Sequence, residues 1–92
     1  MTNKGKQNEI SCYALHLLTS ENSIEKMMSQ EVLDAIKESV GVHPTPNSIM
    51  VLFTDEIDMK ECGEKLKAKG LKIAYEVAPV YIDKKYIDRE VS

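Results

Sequence analysis

The 92 residues contain no tryptophan and one phenylalanine, Phe53. The core must therefore come from Ile, Leu, Val, Met and a few Tyr. In a chain this short it is thin, because folding buries only roughly 60–65% of the unfolded surface. Cysteine is scarce too. Cys12 and Cys62 form no CxxC pair, which excludes a disulfide framework and a zinc knuckle. The leading MTNKGKQNE is polar and has no export signal, so both thiols are expected reduced, in a cytoplasmic protein. No apolar run approaches the ~18–20 residues of a spanning helix, so no membrane role is expected. Excess positive charge is absent as well, at a formal net charge of −3. Lys65, Lys67, Lys69 and Lys72 follow Glu61 and Glu64, the pattern of an exposed helix face rather than a nucleic-acid footprint. The four glycines stand alone, and no GxxxxGK, GxGxxG, GxSxG or HExxH motif occurs.

What is present reads as one domain. Residues 1–9 form a flexible lead, and 10–92 a single α/β domain. Ile10 to Leu18 has the β-formers of a strand. Thr19 to Ser23 offers Ser20, Asn22 and Ser23 as helix caps. Ile24, Met28, Val32, Ile36 and Val40 recur every four residues, and the spacing predicts one helix over Ile24 to Val40, with Met27 partly exposed. Gly41 suits its left-handed stop. His43-Pro44-Thr45-Pro46 reads as a stiff connector. Ser48 to Thr54 is apolar on both alternating faces, as in a central strand. Glu56 to Lys69 forms a second helix with Met59, Cys62 and Leu66 inward and Gly63 marking a close approach to the sheet. Gly70 ends it. Leu71 to Ala78 alternates like an outer strand until Pro79. In the tail, Val80 to Ile82 could extend the sheet, or Ile82, Tyr86 and Ile87 could line a short helix.

The order β-α-β-α-β predicts a two-layer domain with a mainly parallel three-stranded sheet, a possible extra C-terminal strand and two helices on one face. The other face would carry Cys12, Ala14, His16 and Leu18, or else Tyr13, Leu15 and Leu17, together with Met50 and Leu52. That is too much apolar surface for water.

Four features could carry chemistry. Asp55, Glu56 and Asp58 follow the central strand, where open α/β sheets bind ligands, and their oxygens could hold Mg²⁺. The segment FTDEIDMKECGEKL resembles the strand, acidic turn and GE-helix stretch of Toprim domains. That resemblance implies metal-dependent phosphoryl chemistry. The family spaces its aspartates one residue apart, whereas two residues separate Asp55 from Asp58. It also places a glutamate at the end of the first strand, where this chain has Leu18-Thr19-Ser20 and then Glu21. The simpler reading makes Asp55 a helix cap and Asp58 part of an acidic first turn. Cys12 and His16 share a strand face but lie ~13 Å apart, too far for a nucleophile–base pair. Cys62 sits mid-helix among core residues, unlike a reactive thiolate. His43, in the proline-rich loop, is a candidate recognition residue.

The sequence thus points to a non-enzymatic interaction or regulatory protein, needing no cofactor. It would bind a second copy of itself, or another protein, through the apolar sheet face. The alternatives are a Mg²⁺-dependent phosphoryl-transfer or phosphate-binding module at Asp55, Glu56 and Asp58, and a thiol or sulfur carrier.

Overall fold

A computed structural model describes residues 9–86. Its strands are β1 (Glu9–Leu18), β2 (Gly41–Pro44), β3 (Ser48–Phe53), β4 (Ile73–Tyr75) and β5 (Val80–Asp83). Its helices are α1 (Ile24–Met27), α2 (Gln30–Ile36) and α3 (Glu56–Ala68), followed at the end by a 3₁₀ turn at Lys84–Tyr86. Glu9, expected in the lead, is the first residue of β1; residues 1–8 and Ile87 lie outside the described part.

The sheet has five strands and is antiparallel, which overturns the expected parallel three-stranded arrangement. Its order is β2-β3-β1-β4, with β5 also on β1. Each helical crossover does join two parallel strands, but another strand lies between them: β3 separates β1 from β2, and β1 separates β3 from β4. This is the split β-α-β pattern of ferredoxin-like βαββαβ sheets.

The segment misread in the sequence is the connector. Gly41–Pro44 pairs with Ser48–Phe53 in an antiparallel hairpin, matching Val42 with Val51 and His43 with Met50. Thr45 closes it: its amide donates to Ser48 O at 2.7 Å, and its Oγ1 accepts from the Ser48 amide at 2.9 Å. Pro44 is tolerated because β2 is an edge strand. Gly41 is a strand residue, and the positive φ occurs instead at Gly70, at 85°. β3 is interior, but the centre of the sheet is β1, with β3 on one side and β4 and β5 on the other.

The expected helix over 24–40 is two short ones. Ser23 Oγ accepts from Lys26 N at 3.1 Å, and Ser29 Oγ from Val32 N at 3.4 Å. The second serine starts a new helix and resets the face. Met27 is therefore buried while Ile24 and Met28 are exposed, the reverse of the four-residue repeat. Val40 has already joined the sheet, its amide donating to Leu52 O at 2.8 Å.

All three helices lie on one face. Leu15, Leu17, Val51 and Phe53 of the sheet meet Met27, Val32, Ala35, Met59, Cys62, Leu66 and Leu71 there. The third expected strand is shorter than Leu71 to Ala78. β4 stops at Tyr75, and the edge resumes as β5. Between the pairs Leu15–Tyr75 and Cys12–Val80, β1 has two residues and the edge has four. The two extra residues form a bulge that leaves Val77 wholly exposed. Because the excess is even, β5 keeps the facing of β4.

Candidate functional site

The acidic turn divides into three separate roles. Asp55 is the N-cap of α3, its Oδ1 accepting from the Ile57 amide at 2.8 Å. Glu56 pairs with Lys60 at 3.4 Å on the exposed helix surface. Asp58 lines a small groove between α2 and α3 with Ala35, Glu38, Glu61, Cys62 and Lys65. Among the described residues no three His, Cys, Asp or Glu side chains are grouped to hold a metal ion. The antiparallel register also removes the help Glu21 could give. Leu18 pairs with Ser48 and Tyr13 with Phe53, so the two acidic segments leave opposite ends of the sheet, roughly 17 Å apart along the strands.

The cysteines are sealed in different layers. Cys62 is buried on the helix face, its Sγ donating to Ala35 O at 3.5 Å. Burial pushes this thiol up to about 11, against a smaller opposite pull from Lys65. Cys12 is fully buried on the other side of the sheet, where burial also raises its pKa. Neither resembles a thiolate poised for attack.

Among the described residues no helix lies over that other side. Cys12, Ala14 and Leu52 form its buried centre, ringed by half-buried Ile10, Val40, Met50, Val80 and Ile82. Of the two strand faces considered in the sequence, the structure thus sets Cys12, Ala14 and His16 on the open side. Tyr13 and Phe53 turn to the helix layer. Sheets of this layout that read RNA display aromatic rings on β1 and β3 for base stacking; here those rings are inside.

Across this face runs a row of polar side chains. His16, on β1, lies at the centre. Its Nδ1 is 2.8 Å from Ser48 Oγ, and its Nε2 is 2.6 Å from Glu76 Oε1. Ser48 Oγ is in turn 2.9 Å from Thr45 Oγ1. His16 thus links three segments: the central strand, the β2–β3 turn and the start of the edge bulge. His43, placed by the sequence in a loop, is in β2 opposite Met50, which itself pairs with His16. Its Nε2 is buried without a hydrogen-bond partner. Cys12 takes no part in the network.

Hydroxyl, imidazole and carboxylate in series have the order of a nucleophilic triad. The surroundings do not: Ser48 is 4% exposed and its hydroxyl is shared with Thr45. A substrate acyl group has no approach to it.

Sequence reading weighed His16 only against Cys12, set that pair aside as too distant, and missed both real partners. Ser48 and Glu76 stand 32 and 60 positions away, and no local pattern connects them. Only the antiparallel register brings them together. The signal that could have revealed it is Thr45-Pro46-Asn47-Ser48, a turn sequence able to close a hairpin.

Comparison with protein families, with curated proteins and with solved structures returns no match. No helix among the described residues is long and apolar enough to cross a membrane.

Proposed function

We propose that this chain is a small, non-enzymatic interaction protein of the cytoplasm that acts as a regulatory module by pairing with a second copy of itself. The sheet face that no described helix covers carries this reading. Its centre, Cys12, Ala14 and Leu52, is already buried within the chain, and the surface left for face-to-face sheet packing is the half-buried ring of Ile10, Val40, Met50, Val80 and Ile82.

A second copy suits the face better than a charged partner. Among its described residues the only carboxylate is that of Glu76, which already meets His16. Two such faces related by a two-fold axis bring no like charges into opposition, and a self-complementary patch is what a closed dimer requires. The absence of lysine and arginine from the same strand positions disfavours nucleic acid.

Sedimentation at micromolar to millimolar concentration tests the proposal. A concentration-dependent dimer is expected. Met50→Lys, on the open face, should give a folded monomer, whereas Ile57→Lys, on the exposed side of α3, should leave the dimer intact. A wild-type chain that stays monomeric throughout would overturn the reading.

A further inference from the structure

We propose that Thr45, Ser48, His16 and Glu76 form a two-state proton relay whose charge state sets how firmly the edge bulge is held to the central strand. The proposal concerns the single chain and holds whatever covers the sheet face.

The argument is a count of protons. Thr45 Oγ1 donates to Ser48 O at 3.1 Å and accepts from the Ser48 amide at 2.9 Å and, more weakly, the Asn47 amide at 3.2 Å, which gives way when the Ser48 hydroxyl turns towards it. The Ser48 hydroxyl has two acceptors in reach, His16 Nδ1 at 2.8 Å and Thr45 Oγ1 at 2.9 Å. With His16 neutral, its Nε2–H donates to the Glu76 carboxylate, and its bare Nδ1 accepts from Ser48 O–H. With His16 protonated, Nδ1–H donates to Ser48 Oγ, and the Ser48 hydroxyl turns to donate to Thr45 instead. The added proton comes from solvent, which reaches the ring at 21% side-chain exposure. Both states leave each ring nitrogen hydrogen-bonded, and passage between them needs only a hydroxyl rotation. Isolated surface histidines have no such arrangement, since water serves them in either state.

The two states differ at Glu76. Neutral His16 gives it a hydrogen bond, and charged His16 gives it a charge-assisted ion pair. Glu76 opens the bulge, and its amide also donates to Ala14 O at 2.9 Å. Protonation therefore tightens the bulge against β1. The groups around the ring are few. β4 supplies Ala74 beside it and Glu76 just beyond, β3 supplies Ser48 and Met50, and β1 itself supplies Ala14 and Leu18 on the same face. Two further titratable groups follow in register, His43 beyond Met50 on β2 and Lys72, whose carbonyl accepts from the Leu18 amide, and neither bonds the ring. Glu76 is thus the charge that responds.

Ring ¹⁵N NMR and amide exchange between about pH 5 and 8, where imidazoles change charge, test the relay. The neutral ring should be the Nε2–H tautomer. The Glu76 amide, corrected for intrinsic exchange, should be roughly two- to fivefold better protected in acid, the range of a partly exposed ion pair. Glu76→Gln keeps an acceptor but no charge and should flatten that pH dependence. Ser48→Ala removes the Nδ1 donor and should mix the tautomers. A neutral Nδ1–H tautomer in the wild-type chain, or Glu76 protection that does not change with pH, would overturn the proposal without any variant having to fold.

Discussion

Gly63 sits in α3 against the Tyr75 ring, so closely that a Cβ there would come within 2.7 Å of Cε1. The ring cannot simply leave. Lys67 Nζ lies 5.2 Å from its centroid, and its hydroxyl donates to Glu64 at 3.4 Å. Gly63→Ala should therefore destabilise by about 1–3 kcal/mol through overpacking, although alanine favours helix. Thermal unfolding would show it, and Tyr75→Leu should make the two changes non-additive. Cys62 leads to a second expectation. A thiol whose pKa rises on folding stabilises the fold below the ordinary thiol range, and that contribution is lost as pH climbs towards about 11. Stability should fall across that alkaline window, less steeply in Cys62→Ala after allowance for its cavity. Native Cys12 and Cys62 should both react far more slowly with a thiol reagent at pH 8 than the unfolded chain does.

At the level of elements, the start of α3 separates capping from metal binding. Asp55→Ala should cost about 0.5–2 kcal/mol, whereas Asp55→Asn should be nearly neutral, since asparagine caps equally well. Mg²⁺ should shift the unfolding midpoint of neither variant. This helix was legible in the sequence because its signals are local: an aspartate cap, Met59, Cys62 and Leu66 at helical spacing, and Gly70 as the stop. So was the approach of Gly63 to the sheet. Strand direction was not legible, because it depends on what lies between β1 and β2. A proline-flanked stretch such as Gly41–Pro44 looks unlike a strand until an edge position excuses its missing amide. The break at Ser29 was also hidden, since a serine inside an apolar repeat reads equally as a solvent-facing residue or as a new cap. His16 was visible as a residue but not as a site, because both its partners arrive through long-range register.

For the whole molecule, the open sheet face makes oligomeric state the deciding property. If two copies bury it, the unfolding midpoint should rise with protein concentration, since association draws on the folded state alone. A midpoint constant over about two decades of concentration would argue for a monomer. The placement of β1 has a further consequence, for the chain during its synthesis. The central strand leaves the ribosome before any of its partners. β3 follows some thirty residues later, and the strand that pairs with Glu9–Cys12 is complete only at Asp83. At about 5–20 residues per second, that first half waits roughly 4–15 s for its neighbour. During translation, then, the half of the central strand that waits longest, Glu9–Cys12, is the part most open to capture by a chaperone or by a neighbouring nascent chain.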